Sequence, residues 1–135
     1  MNKIRGIVIY VLPLILYCTG LFLFISLPDP QMPSFDFDFA DKLNHVGAFF
    51  VMTILAYRAG SWMMKERKIG QLILIATLFS ALYGAGVEIQ QMFVPERSAE
   101  IADWLADIVG VLLAIPVIYW MLGTKLRRLV AAEVT

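Results

Sequence analysis

The sequence predicts an all-α fold: a bundle of four transmembrane helices joined by short loops, with the N- and C-termini cytoplasmic. Three observations carry this reading. Of the 135 residues, 60% are hydrophobic and 16% charged, and the mean hydropathy is +0.76, too apolar for a soluble domain of this size. Four apolar runs each reach the roughly 20 helical residues needed to cross a hydrocarbon core. The basic residues fall almost entirely on one side of those runs, as the positive-inside tendency requires.

The whole chain, 1–135, reads as a single integral membrane domain without repeat or second unit. The first span runs from about Gly6 to Leu27. Lys3 and Arg5 precede it as in a secretory signal, but the apolar run is too long and no small-x-small cleavage site follows, so it is expected to be retained. Its Cys18 is the chain's one cysteine, which excludes an internal disulfide and a cysteine-based metal site. The second, third and fourth spans are placed at Leu43 to Trp62, Gly70 to Val94 and Ile101 to Gly123. Pro13 and Pro116 lie inside spans and predict kinks. Lys3, Arg5, Arg58, Lys65, Arg67, Lys68, Lys125, Arg127 and Arg128 share one side, against Lys42 and Arg97 on the other. The middle loop is therefore expected to be cytoplasmic with the termini, and Asp29, Asp36, Asp38 and Asp41 to face outward. Trp62, Tyr119 and Trp120 fit an aromatic belt at the cytoplasmic end and Trp104 one at the outer end, with Arg58 snorkelling as an anchor. In the outer loop from Pro28 to Ala40, Phe35, Phe37 and Phe39 are expected to dip into the interface rather than to form a strand. The formal net charge is zero and no basic stripe exists, so no nucleic-acid partner is expected.

The informative residues are polar ones inside spans. At 1.5 Å per residue, Glu88 lies about 9 Å inside Val94 and Asp107 about 9 Å inside Ile101. Short connections make the second, third and fourth helices antiparallel neighbours, so His45, Glu88 and Asp107 are expected to converge near the outer face. Glu100, Asp103, Asp107, Gly110 and Ala114 recur along one stripe of the fourth helix, and Ser80, Gly84, Glu88 and Gln91 along one stripe of the third. Small residues below polar ones permit close helix approach, or a homo-oligomer contact. An isolated charge deep in a span costs on the order of 3 kcal/mol, so these acids need Lys42, Arg97, His45, a proton or a metal beside them. Asp41 and Ser98 suit helix N-caps, and Glu100 and Asp103 suit the positive end of the fourth helix. Glu88 and Asp107 lie too deep for capping to explain them, which favours a functional pocket there.

Asp41-Lys42-x-x-His45 with Phe49 and Phe50, then Tyr83-Gly84-x-x-x-Glu88-x-x-Gln91, then Arg97-Ser98 followed by Asp103 and Gly110, resemble the VanZ-like family of small bacterial membrane proteins, named after a protein associated with teicoplanin resistance. The resemblance covers about residues 41–114. Where the family usually has Asn-x-x-Gly, this chain has Asp107-Ile108-Val109-Gly110. The resemblance implies a cell-envelope role in the bacterial cytoplasmic membrane and a multi-pass topology, without an established reaction.

The leading expectation is a pocket of Asp41, Lys42, His45, Glu88, Gln91, Arg97, Asp103 and Asp107 that binds a polar or anionic envelope ligand: a lipid headgroup, a lipid-linked wall precursor or a glycopeptide. Arg97 and Lys42 would hold phosphate or carboxylate, and Glu88 and Gln91 would orient sugar or amine groups. The alternative is a membrane-embedded hydrolase or transferase on a lipid-linked substrate, with His45, Glu88 and Asp107 as the candidate catalytic residues and Arg97 stabilising negative charge. No nucleophile motif, His-Glu-x-x-His signature or cofactor-binding pattern occurs, so no cofactor is expected. A metal held by His45, Glu88, Asp103 and Asp107 stays geometrically open. A transporter is a third reading, disfavoured by the lack of inverted repeats.

Overall fold

The computed structural model describes residues 2–27, 40–95 and 99–133, with only the backbone described for residue 40 and residues 125–133. Among these residues all regular secondary structure is helical, without strands. It forms α1 (Lys3–Ile25), α2 (Ala40–Met63), α3 (Ile69–Gln91) and α4 (Ile101–Glu133), each including a segment long and apolar enough to cross a membrane. The outer loop with Phe35, Asp36, Phe37, Asp38 and Phe39, the Ser98 cap, and the side chains of Lys125, Arg127 and Arg128 lie outside the described residues.

Helix is the form such runs take in lipid because it satisfies every backbone group within the segment. At the start of α1 the Asn2 side chain accepts from Ile4 N at 3.3 Å, relieving one of the unpaired N–H groups of a first turn. Pro13 has no N–H to offer the carbonyl one turn earlier. The helix answers with a five-residue π-helical segment, Ile7–Val11, directly before it, a widened turn that absorbs the mismatch. Pro116, by contrast, sits in helix that continues on both sides. Between α2 and α3 the turn is tight: Met64 N donates to Gly60 O at 2.8 Å, Arg67 N to Met64 O at 3.0 Å, and Lys68 N to the Gln71 side chain at 3.2 Å.

α2 is the central helix, packed against each of the other three. Phe49, Met52, Val87, Val111 and Ile25 form one buried cluster, and Ile73, Ala114 and Ile118 a second. The small-residue stripes are consumed in this packing. A Cβ on Gly110 would overlap the Val46 carbonyl oxygen and come within 3.0 Å of Phe50 N, so α4 crosses α2 backbone to backbone. Ser80, Gly84, Gly110 and Ala114 are all buried within the chain, which leaves them no free face for a second copy.

α1 is the outlying helix and is held by tyrosine hydroxyls. Tyr17 OH donates to Ala48 O at 2.9 Å, and Tyr83 OH donates to Cys18 O at 2.6 Å. Near its end, Gln90 Nε2 donates to Phe22 O at 3.3 Å. Leu16, Leu23, Leu43, Leu78, Leu82, Leu105, Leu112 and Leu113 point outward from the bundle. So much exposed apolar surface on all four helices is the surface of a protein solvated by lipid, and the chain is a multi-pass membrane protein.

Candidate functional site

The ends of α2, α3 and α4 that meet on one side of the bundle carry three buried carboxylates and a buried amide. Asp107 is 0% exposed, Gln91 3%, Asp103 6% and Glu88 8%. Two and a half turns into α4 from the same end, Gly110 lets α2 and α4 close up, which draws His45 of α2 against the acids of α4. His45 Nδ1 lies 2.8 Å from Asp107 Oδ1. With Asp107 ionised, its oxygen accepts and the imidazole N–H donates. The other ring nitrogen, Nε2, is 4.0 Å from Asp103 Oδ2. On the third side, a Cβ at Gly84 would stand 2.7 Å from Asp107 Oδ2 and 3.2 Å from the Phe49 ring. Glycine there makes room for the carboxylate between α3 and α4.

Lys42, one turn before His45, pairs with Asp103 and, at 3.4 Å, with Glu100. Its ammonium is thereby committed to two carboxylates instead of standing free for an anion. Asp41 sits in the first turn of α2 as an exposed residue. There it interacts with the positive end of the helix from inside rather than as the expected N-cap. Arg97 lies outside the described residues.

Glu88 has a role that its distance from Val94 concealed. α3 ends at Gln91, only three residues on, and the chain turns through Phe93 N to Gln90 O and Val94 N to Gln91 O. Glu88 Oε2 consequently reaches the start of α4 and accepts from Glu100 N at 2.9 Å, while Asp103 N donates back to Glu100 O at 2.9 Å. Capping therefore does account for one oxygen of Glu88, contrary to the expectation from sequence. It does not account for the other: Glu88 Oε1, Gln91 Oε1 and Asp107 Oδ2 are buried without a hydrogen-bond partner among the described residues. Such orphaned acceptors are rare and call for a reason.

Two triads of side chains place one ligand-capable atom each within 4.8 Å of one another: His45, Glu88 and Asp107, and Asp41, His45 and Asp103. Beside them an apolar cleft between α1, α2 and α3, lined by Leu21, Phe24, Ile25, Ala48, Phe49 and Val87, ends on Asn44, His45 and Gln91. Sequence reasoning did not single out the groups that fix this geometry. Trp104, expected as an interfacial anchor, donates its indole N–H to Ala81 O at 3.1 Å and ties α4 to α3. At the opposite end Arg58, also expected as an anchor, lies over the Tyr10 ring at 5.8 Å, and Tyr10 stacks on Trp62 at 6.4 Å.

A family model described as VanZ/LLP1 matches residues 14–123, most of the chain. The protein belongs to the VanZ/LLP1 family. Neither a curated protein nor a solved structure matches it. The match spans every residue of the polar site from Asp41 to Asp107 and also takes in the second half of α1, so in this VanZ/LLP1 protein the cleft and both triads lie inside the family region.

Proposed function

We propose that this VanZ/LLP1 protein has a cell-envelope role in the bacterial cytoplasmic membrane and binds an amphipathic, lipid-linked envelope component at the outer ends of its helices. One observation carries the reading: an apolar cleft between α1, α2 and α3 runs up to His45 and Gln91, and Gln91 Oε1, like Glu88 Oε1 one turn before it, is a buried acceptor without a partner among the described residues. A chain in the cleft would bury apolar surface, and a hydroxyl or amine of the headgroup would satisfy acceptors that otherwise destabilise the fold. Lipid headgroups, lipid-linked wall precursors and glycopeptides all offer such donors. Lys42 contributes by holding Asp103 and Glu100, so the ligand is read through its hydrogen-bond donors.

The test is native mass spectrometry of protein purified in mild detergent, comparing wild type with Gln91→Leu and with Leu21→Trp, which fills the cleft. Wild type is expected to retain a specific lipid-class ligand that both folded variants lose. Equal retention by all three, or none by wild type, would sink the proposal.

A second reading, a hydrolase or transferase on the same ligand, draws on the His45–Asp107 pair, an imidazole oriented by a carboxylate as a general base requires. Recovery of a cleaved rather than intact ligand from wild type, and of the intact one from His45→Gln, would favour it.

The proposed site is outward only if the termini are cytoplasmic, as the basic residues suggest. Single cysteines introduced on a Cys18→Ser background should then react with a membrane-impermeant maleimide on intact cells at position 94, after α3, and stay protected at position 66, between α2 and α3. The reverse pattern would invert the topology.

A further inference from the structure

We infer that His45, Glu88 and Asp107 form a binding site for a divalent transition-metal cation. The three side chains come from α2, α3 and α4, and their ligand atoms already lie within 4.8 Å of one another. A metal shell needs ligand atoms about 2.0–2.2 Å from the ion, and hence a modest contraction of this triad. Two of its oxygens, Glu88 Oε1 and Asp107 Oδ2, are buried and accept from nothing among the described residues. The nearest lysine does not relieve them, because Lys42 is held by Asp103 and Glu100. Around the triad, then, carboxylates outnumber the cations among the described residues, and the deficit lies where the unpartnered oxygens are.

The donor set defines the ion. One imidazole nitrogen with two carboxylates suits zinc, manganese, iron or cobalt, whereas magnesium and calcium prefer oxygen alone and copper(I) prefers sulfur. Three protein ligands leave a position open, as in zinc sites that hold an exchangeable fourth ligand. The rival triad of Asp41, His45 and Asp103 is weaker. Asp41 is exposed, and Asp103 is paired with the Lys42 ammonium. A metal in the buried triad would also give an otherwise acidic site an attraction for phosphate or carboxylate. It rests on the same residues as the proposed envelope-ligand site but does not require that ligand.

The experiment is zinc titration by calorimetry of the full chain in detergent, stripped of metal with a chelator and of lipid by exchange, with the metal content of the untreated protein read by mass spectrometry. Wild type is expected to take up a single zinc ion per chain. The near-isosteric Glu88→Gln and Asp107→Asn should each weaken binding by about 100-fold, at the upper end of what loss of a metal's supporting groups does, and Asp41→Asn should leave it unchanged. As a measurement independent of the variants' folding, cobalt added to wild type should give visible absorption of a nitrogen and oxygen coordinated ion and raise the melting temperature. Failure of wild type to bind zinc or cobalt, binding that survives in folded Glu88→Gln and Asp107→Asn, or loss in Asp41→Asn would overturn the assignment. Because lipid is absent from this titration, such a failure would leave the ligand reading to be decided by its own test.

Discussion

Replacing His45 by alanine is expected to destabilise the metal-stripped protein by about 3–5 kcal/mol, the range seen when one member of a buried charged pair is removed. Asp107 is fully buried, and His45 Nδ1 is the partner of its Oδ1. Without the imidazole both of its oxygens would lack a donor, since Oδ2 has none already. Thermal melting in detergent reads the loss. The effect belongs to the stranded carboxylate and not only to lost packing, so His45→Ala combined with Asp107→Asn should cost clearly less than the sum of the two single changes. A His45→Ala protein within about 0.5 kcal/mol of wild type, as for an ordinary surface substitution, would mean that Asp107 does not depend on this pair.

The second large effect is expected at Gly110→Ala. A methyl group there meets the Val46 carbonyl oxygen and Phe50 N. Both are backbone, so the crossing of α2 and α4 must open to admit it. Overpacking costs typically about 1–3 kcal/mol, and an obstacle that cannot rotate away puts this position at the upper end. Gly86→Ala is the control: nothing lies within 4 Å of its added Cβ, and alanine is the better helix former by about 1 kcal/mol, so that variant should melt at or above wild type. Equal melting of the two would show that the close crossing does not matter to stability.

The all-helical, membrane-spanning architecture was legible because lipid leaves a long apolar run only one way to satisfy its backbone. The meeting of His45, Glu88 and Asp107 was legible for a related reason. Short connections force antiparallel neighbours, and residues at matched depth then share a level. What stayed hidden were the contacts that set the geometry. Tyr17, Tyr83 and Trp104 carry apolar bodies with one polar atom, and in a membrane sequence such residues look like interfacial anchors until the carbonyl each one meets is known. The Glu88 cap was masked by Met92, Phe93 and Val94, whose apolar character extends the run past the true helix end at Gln91. The π-helical segment follows from Pro13, but a kink and a widened turn are equally good answers to a missing N–H, and local sequence does not choose between them.

The bonds made by Glu88 and Asp107 differ in how much chain they close. Glu88 and Glu100 are separated by 12 residues, His45 and Asp107 by 62. By the logarithmic dependence of closure entropy on loop length, the longer closure is less favourable by about 1.5 kcal/mol. The α3–α4 hairpin can therefore settle the first of its intramembrane carboxylates from its own backbone, before α2 has docked. Asp107 has to wait for a partner from a distant segment, as does Asp103, whose lysine also stands on α2, so the docking of α2 is coupled to carboxylates that the hairpin does not satisfy by itself.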